Sequence, residues 1–295
     1  MASLTFLDAW PGVVQKKAPL ASLTSLQLGG PAAALVKPAD VPSLVGILKA
    51  AAKHKTPVRY LGSGSNILIP ETGFAGIVIQ FSAPAFQTIT VQKNKIIART
   101  GATLSALVTT AARHDLGGLE GMVGLPGTVG GALKNDLKVR TGPLSQFVSK
   151  VELLDAQGKA TWHDRDVVPI DQLLATPDGA IILGAEFELH PDLPDAIIKR
   201  LRKNWILVKN RQPLSSERYA SLFRDPPGGT ASQLIVKASA QFNRVGDASL
   251  SERDANCVIV KENATQQDVL GLMETIQNQV ESRLGEVLEP SLVIW

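Results

Sequence analysis

The chain of 295 residues lacks several features that mark whole classes of protein. It contains a single cysteine, Cys257, so it cannot form an internal disulfide, and we expect it in a reducing compartment. No apolar run approaches the roughly 18 residues that a membrane helix needs, and the N-terminal stretch has no basic region typical of a signal peptide. The net charge of +3, with acids and bases interspersed, gives no argument for nucleic-acid binding. These absences predict a cytoplasmic protein that binds neither membranes nor nucleic acids.

Metal-binding patterns and common catalytic motifs are missing as well. The histidines stand far apart and beside no cysteine cluster, so we predict no metal site. His54 and His114 are expected at the C-terminal ends of helices, where they interact favourably with the helix dipole. The chain has no G-x-S-x-G motif and no phosphate-loop lysine, so the corresponding hydrolase and nucleotidase patterns are excluded.

Glycine, in contrast, is concentrated in one segment. Residues Gly117–Ala132 read GGLEGMVGLPGTVGGA, with seven glycines and one acidic residue. Glycine costs backbone entropy, so a folded enzyme concentrates it where φ must be positive or where a ligand approaches the backbone. Peptide N–H groups that are exposed in such a loop can hold phosphate oxygens. The segment therefore predicts a cofactor that carries phosphate.

A second glycine motif, GSGSN at Gly62–Asn66, follows a predicted strand. A Rossmann dinucleotide site would need a third glycine, but Ile67 occupies that place and the following residues do not begin a helix. By itself the motif is typical of a turn that ends a strand. Two such loops in one domain favour a pyrophosphate-binding site that is not of the Rossmann type.

Strand and helix patterns alternate through the first two thirds of the chain, and the last third is mainly helical. Asp40 is expected to cap the first helix, and the prolines and aspartates of 191–194 mark a boundary. The hydrophobic spacing predicts helices at 38–55, 103–114, 195–209, 230–240 and 265–284, and strands at 57–62, 76–81, 95–100, 148–154, 180–189 and 288–295.

A run of basic residues begins the last third. Its first four members are expected on a solvated helix face: Lys199, Arg200, Arg202 and Lys203. The next four lie beyond the predicted helix and are candidates for binding a phosphorylated substrate through charge-assisted hydrogen bonds: Lys209, Arg211, Arg218 and Arg224.

Ser221 lies among apolar residues, with Arg224 nearby. A serine can donate a proton in catalysis only if neighbouring cations or a relay stabilise its alkoxide. The spacing alone favours an ordinary turn or capping serine.

Five segments together resemble the MurB family of UDP-N-acetylenolpyruvoylglucosamine reductases. The resemblance covers most of the chain, from about Leu23 to the C-terminus. The matching segments are TSLQLGGPA (Thr24–Ala32), YLGSGSNILI (Tyr60–Ile69), GLEGMVGLPGTVGGA (Gly118–Ala132), ASLFRDPPG (Ala220–Gly228) and VLEP (Val287–Pro290).

The resemblance implies an α+β protein with a two-part FAD-binding domain of the vanillyl-alcohol-oxidase (PCMH) type and a smaller α+β substrate domain. The expected divisions are 1–83, 84–191 and 192–295. It also implies a monomer in which bound FAD, reduced by NADPH, passes a hydride to the enolpyruvyl double bond of a UDP-sugar. The implied cofactor-binding residues are Gly62, Ser63, Gly64, Ser65, Asn66, Ile67, Gly121, Gly124, Pro126, Gly127, Thr128, Gly130 and Gly131.

In the same family a serine protonates the resulting carbon, and Ser221 falls at its position. Lys209, Arg211 and Arg224 are the implied substrate-binding residues. The family's Leu-Glu-Pro-Glu motif reads Leu288–Ser291 here, so Ser291 replaces its second glutamate. Glu289 is the remaining candidate carboxylate, displaced by roughly 6–7 Å if this segment is a strand.

Other substrate-side positions differ from the family too. The segment Asp166–Gly184 contains neither the family's tyrosine nor its arginine, and Asp254 replaces a histidine. The family's Asn-Ala-Gly run is Asn135–Leu137, and Asp225 follows Arg224 where an asparagine is usual. Two alternatives therefore stay open beside the MurB reaction: a flavin-binding relative with lost or altered activity, and a nucleotide-sugar binding protein without redox chemistry.

Overall fold

A computed structural model describes residues 4–139, 141–175, 179–214 and 217–295. Its helices are α1 (Val41–Lys53), α2 (Leu104–Arg113), α3 (Val129–Lys134), α4 (Ile170–Leu174), α5 (Pro194–Arg211), α6 (Ala231–Lys237) and α7 (Gln266–Leu284). Its strands are β1 (Val14–Pro19), β2 (Pro31–Val36), β3 (Val58–Leu61), β4 (Ile67–Leu68), β5 (Phe74–Gln80), β6 (Ile89–Gln92), β7 (Lys95–Arg99), β8 (Leu116–Gly117), β9 (Lys138–Val139), β10 (Gly142–Pro143), β11 (Val148–Leu154), β12 (Ala160–Asp164), β13 (Ile181–Glu188), β14 (His190–Pro191), β15 (Arg218–Ser221), β16 (Arg244–Val245), β17 (Ala248–Leu250), β18 (Cys257–Val260) and β19 (Val293–Ile294).

Two compact units, each made of three chain segments, account for this structure. Unit 1 contains residues 1–15, 35–63 and 77–208, and unit 2 contains 16–34, 64–76 and 209–295. The predicted divisions at 83/84 and 191/192 assign a function to each of three consecutive segments, whereas the two units describe compactness. The divisions therefore stay a prediction. No helix in the described part of the chain is both long and apolar enough to span a membrane.

Side-chain caps fix the starts of the longer helices. Asp40 accepts a hydrogen bond from the Ser43 N–H, as its position before α1 predicts. Thr103 caps α2 in the same way, and Thr265 forms a capping box with Asp268 at α7. The helices α1 and α2 end at His54 and His114, so both histidines occupy the predicted helix ends.

Unit 1 is built around a five-stranded antiparallel sheet with the order β12-β11-β13-β7-β6. Its core includes Ile96, Leu107, Val151 and Phe187 from the strands and α2. In the same unit, β3 pairs in parallel with β5, with Val58 opposite Ile77. The GSGSN motif begins directly after β3.

Unit 2 contains an antiparallel sheet with the order β15-β18-β17-β16, and α6 and α7 pack against it. The buried face of α7 carries Val269, Leu272, Met273, Ile276 and Val280, the residues of its helical apolar stripe. A separate parallel pair joins β19 to β4, with Val293 opposite Ile67. Val293 and Ile294 therefore pair with the two residues that directly follow the GSGSN motif in sequence.

Two predictions about the last third were wrong. The predicted strand at 288–295 is limited to β19, because Pro290 has no N–H and the N–H groups of Ser291 and Leu292 both point to the Leu222 carbonyl. The helix predicted to end at residue 209 continues to Arg211, so Lys209 and Arg211 lie in its last turn and not beyond it. Pro213 follows shortly after the end of the helix.

Candidate functional site

The glycine loop Gly117–Ala132 lies in unit 1 and ends in the short helix α3. Gly124 has a φ of +77° and is exposed beside Trp205 and Val208 of α5. At the other end, the N–H groups of Val129 and Gly130 donate to Ala102 and Thr100 carbonyls, and Gly131 donates to Thr128 Oγ1. These three N–H groups therefore bond to other protein atoms and do not face a ligand unpaired.

Two adjacent N–H groups near the end of the loop are available to a ligand. Those of Gly127 and Thr128 have no partner among the described residues. Gly62, the first residue of GSGSN, lies against the same place: a Cβ on it would stand 2.6 Å from Thr128 Oγ1. The two predicted glycine loops therefore meet in unit 1, and the absence of a side chain at Gly62 permits that contact.

The rest of the GSGSN motif lies in unit 2 and is held by the segment before β2. Gly64 has a φ of +68°, and a Cβ there would overlap the Leu23 carbonyl oxygen. The Ser25 N–H donates to the Gly64 carbonyl at 3.1 Å. Asn66 Nδ2 donates to the Ser291 carbonyl at 2.6 Å. Asn66 is thus hydrogen-bonded to Ser291, the residue that replaces the second glutamate of the Leu-Glu-Pro-Glu motif.

A cavity of about 230 Å³ lies in unit 1 beside Tyr60, two residues before Gly62. The Tyr60 ring stacks on Phe81 at 6.1 Å, and burial raises the pKa of its phenol to about 12. The wall is mainly apolar, with one ammonium and one carboxylate. The lining residues are Val45, Leu48, Lys49, Ala52, Tyr60, Asp155, Ala156, Gly158, Gly179 and Ile181.

Ser221 is the last residue of β15, opposite Cys257 of β18, and it is exposed. The segment after it is fixed by a buried asparagine, Asn256. Asn256 Oδ1 accepts from the Phe223 N–H at 2.9 Å, and its Nδ2 donates to the Phe223 carbonyl at 2.8 Å. Asn256 thus replaces a missing strand partner and holds the chain that follows Ser221. The sequence analysis did not identify it, although it lies two residues after Asp254.

The segment Leu288–Ser291 runs beside the residues that follow Ser221. Phe223 forms a bridge with Pro290, and the Glu289 carbonyl accepts from the Arg224 N–H at 2.9 Å. The side chains of Arg224 and Glu289 are exposed. The structure therefore places the candidate serine, the candidate carboxylate and Ser291 in neighbouring segments of unit 2.

Arg211, a candidate for substrate binding, is already paired with an acid. Its Nε and Nη2 lie 3.0 and 2.8 Å from Asp254 Oδ2. Asp254 is the residue that replaces the family's histidine. Lys209 is exposed in the last turn of α5. Asp225, the other new acid, accepts from the Ala231 N–H at 2.9 Å and supports the start of α6.

Arg200 was predicted on a solvated helix face, and its side chain is 41% exposed but paired with two acids. Its guanidinium binds Glu120, a buried carboxylate inside the glycine loop, and Asp192. The Arg200 hydrogen bond is the main cause of the lowered pKa of Asp192. Helical spacing alone places Arg200 among exposed cations, because its partners are distant in sequence. Within the described ranges, no group of three His, Cys, Asp or Glu residues is suited to hold a metal.

Comparison with known proteins agrees with the motifs. The family described as "UDP-N-acetylenolpyruvoylglucosamine reductase, C-terminal domain" matches residues 212–295, and "FAD binding domain" matches residues 32–164. A UDP-N-acetylenolpyruvoylglucosamine reductase of Rhodopirellula baltica is 34% identical over 96% of this chain and 93% of its own length. The enzyme of that name from Moorella thermoacetica is 33% identical, over 94% and 91%. The chain belongs to the MurB family.

Solved structures lead to the same family. The crystal structure of MurB from Thermus caldophilus superimposes with a TM-score of 0.79 at 29% identity, covering 96% of this chain and 98% of that one. A solvent-stable cholesterol oxidase shares the fold alone, with a TM-score of 0.50 at 17% identity over 60% of this chain. The predicted MurB resemblance is confirmed, as is the fold class of an FAD-binding domain followed by an α+β domain.

Proposed function

We propose that the protein is an FAD-dependent reductase that uses NADPH to convert UDP-N-acetylglucosamine enolpyruvate to UDP-N-acetylmuramate, a peptidoglycan precursor. The observation that carries this proposal is the match to reductases of that name over nearly the whole chain, at 34% identity in one relative. The FAD-binding domain match at residues 32–164 covers both glycine motifs.

The geometry of unit 1 fits a phosphate-bearing cofactor such as FAD. The N–H groups of Gly127 and Thr128 would hold phosphate oxygens, and Gly62 leaves room at the same place. The remaining predicted contacts would extend this site: Ser63, Gly64, Ser65, Asn66, Ile67, Gly121, Gly124, Pro126, Gly130 and Gly131.

The residues of unit 2 would supply the proton and bind the substrate. When bound, FAD supplies the hydride that NADPH releases and the enolpyruvyl double bond accepts. We assign proton donation to the hydroxyl of Ser221, the last residue of β15, and Asn256 and the bridge to Pro290 fix Phe223, two residues further on. Lys209 and Arg224 are exposed cations that can bind the UDP diphosphate. Arg211 can do so only in competition with Asp254.

The test of this proposal begins with the visible absorbance of the purified protein. We expect bound flavin and an NADPH oxidation that depends on the enolpyruvyl sugar. Ser221→Ala should abolish substrate reduction and leave flavin reduction by NADPH unchanged, whereas Ser105→Ala, an exposed serine of α2, should behave as wild type. Absence of flavin even after FAD is added, or turnover that survives Ser221→Ala, would contradict the assignment.

A second candidate is a flavin-binding relative with altered or lost reductase activity. It is supported by Ser291 in place of the family's glutamate and by the pairing of Arg211 with Asp254. Removing a preorganised catalytic group commonly costs about a hundredfold in rate. A protein that binds FAD and oxidises no NADPH with this substrate would support the second candidate.

We further propose the functional division 1–83, 84–191 and 192–295, for two FAD-binding subdomains and a substrate domain. The FAD-binding match lies within the first two segments and the C-terminal match within the third. A monomeric state and a cytoplasmic location complete the proposal, and size-exclusion chromatography with light scattering tests the former.

A further inference from the structure

A buried acid lies inside the glycine loop at Glu120. Its Oε2 accepts from the Gly118 N–H at 2.8 Å. Its Oε1 receives two hydrogen bonds from Arg200 of α5, from Nε at 3.0 Å and Nη2 at 2.7 Å. A carboxylate removed from water is strongly unfavourable unless it is paired and hydrogen-bonded. The start of the loop can therefore keep this shape only while Arg200 occupies its place.

The Arg200 guanidinium is itself fixed from a second side. Its Nη2 also donates to Asp192 Oδ2 at 2.5 Å, and His190 stands nearby. A Cβ on Gly117 would lie 3.0 Å from Arg200 Nη2, so the backbone of the loop packs directly on the guanidinium. Arg200 thus acts as a planar fork between two carboxylates, a geometry that lysine cannot reproduce.

The helix that carries Arg200 also supports the middle of the loop. Val208 and Trp205, on later turns of α5, stand 3.4 and 3.6 Å from the Cβ position of Gly124. Gly124 is three residues before Gly127, whose N–H has no partner in the part of the chain that the structure describes. The helix α5 therefore contacts the loop at its start and in its middle, upstream of the Gly127 and Thr128 N–H groups.

We propose that Arg200 is a positioning residue for the cofactor: through Glu120 it holds the glycine loop in the shape that binds FAD. This inference rests on the proposed FAD function. A loop that takes its binding shape only a tenth of the time raises the apparent Kd about tenfold. Loss of the Arg200 contacts should have an effect of this order.

The experiment compares three variants. Arg200→Met removes the charge and keeps an unbranched chain, Arg200→Lys keeps the charge without the fork, and Arg202→Met is the matched control. Arg202 is an exposed residue of the same helix with no partner among the described residues. The readouts are the Kd of FAD from flavin fluorescence on the apoprotein, and hydrogen exchange of the loop amides at 117–128.

We expect Arg200→Met to weaken FAD binding about tenfold and to accelerate exchange in the loop. Arg200→Lys should restore part of both, and Arg202→Met should match wild type. A folded Arg200→Met protein with wild-type FAD affinity overturns the proposal, even if its melting temperature falls, because a purely structural pair would behave in that way. If Arg200→Met does not fold, Arg200→Lys decides, since wild-type affinity there also overturns the proposal.

Failure of the proposed function has a different signature. If the wild-type protein binds no FAD, the FAD assignment is lost, and hydrogen exchange still decides whether Arg200 holds the loop. Faster exchange in Arg200→Met and not in Arg202→Met supports the positioning role. Equal exchange in the two variants overturns it.

Discussion

Replacing Asn256 with alanine should destabilise unit 2 and disturb Ser221 together. Asn256 is 8% exposed and makes two hydrogen bonds to the backbone of Phe223, which is itself buried. In the alanine variant, the Phe223 N–H and carbonyl both lose their partners. A buried polar group without a partner costs about 1–3 kcal/mol, so for the two groups we expect a total loss of about 2–6 kcal/mol. That is a large part of the roughly 5–15 kcal/mol that stabilises a typical domain.

The measurement is the free energy of unfolding from urea denaturation, with hydrogen exchange across β15 and β18 as the local readout. Asn243→Ala is the control, because Asn243 is only partly buried and its amide pairs with the side chain of Gln279. Its loss should stay near 1 kcal/mol. Asn256→Asp should lose only one of the two hydrogen bonds, because its carboxylate can still accept from the Phe223 N–H but cannot donate to the Phe223 carbonyl. Unlike Asn256→Ala and Asn243→Ala, it also adds a negative charge.

A functional effect is expected as well, because Phe223, the residue that the Asn256 side chain holds, lies two residues after Ser221. Substrate reduction should fall in Asn256→Ala at a temperature where the protein is still folded, while FAD remains bound. A loss of stability equal to that of Asn243→Ala, or full turnover in a folded Asn256→Ala protein, would refute the account of this segment.

Three further expectations concern single positions. Burial, followed by Asp254 and Glu217, raises the pKa of the Cys257 thiol to about 12. The thiol should therefore resist iodoacetamide at pH 8 until urea unfolds the protein. The contribution of the protonated thiol to the free energy of unfolding is complete below about pH 9 and should disappear as the pH rises toward 12. Cys257→Ala should not show this pH dependence. Ser291→Glu should raise turnover in the NADPH assay if the rest of the substrate site is intact, and no gain would indicate wider remodelling. Gly64→Ala should lower stability by at least about 1 kcal/mol in urea denaturation, since φ is positive and the Leu23 carbonyl occupies the Cβ position; a neutral result would contradict the strain.

Local signals in the sequence predicted the helices α1, α2, α5, α6 and α7, whereas the sheet β15-β18-β17-β16 was not predicted. Asp40, Thr103 and Thr265 cap their helices because a short polar side chain before an apolar stripe acts only on nearby N–H groups. The strand at 148–154 was predicted with the bounds that the structure gives. The strand at 288–295 was overestimated, because apolar alternation does not reveal where a partner strand ends.

The candidate site was predictable only in part. The glycine motifs indicated a cofactor loop, and their contact through Gly62 and Thr128 is consistent with that expectation. The contacts of Arg200 with Glu120, and of Asn66 with the Ser291 carbonyl, were not predictable. Each joins residues far apart in sequence, and the periodicity of one element carries no information about the other.

The pairing of β19 with β4 has a consequence for the time course of synthesis. Asn66 and Ser291 are 225 residues apart, and both bond in the native unit 2. At roughly 5–20 residues per second, a ribosome needs on the order of ten seconds or more to make the second after the first. During that delay the apolar side chains of Leu26, Leu28 and Leu68, buried in the finished unit, lack the C-terminal residues of their core. Unit 2 should therefore complete its core only after residues 288–294 have emerged from the ribosome, and the nascent chain should depend on holding chaperones until then.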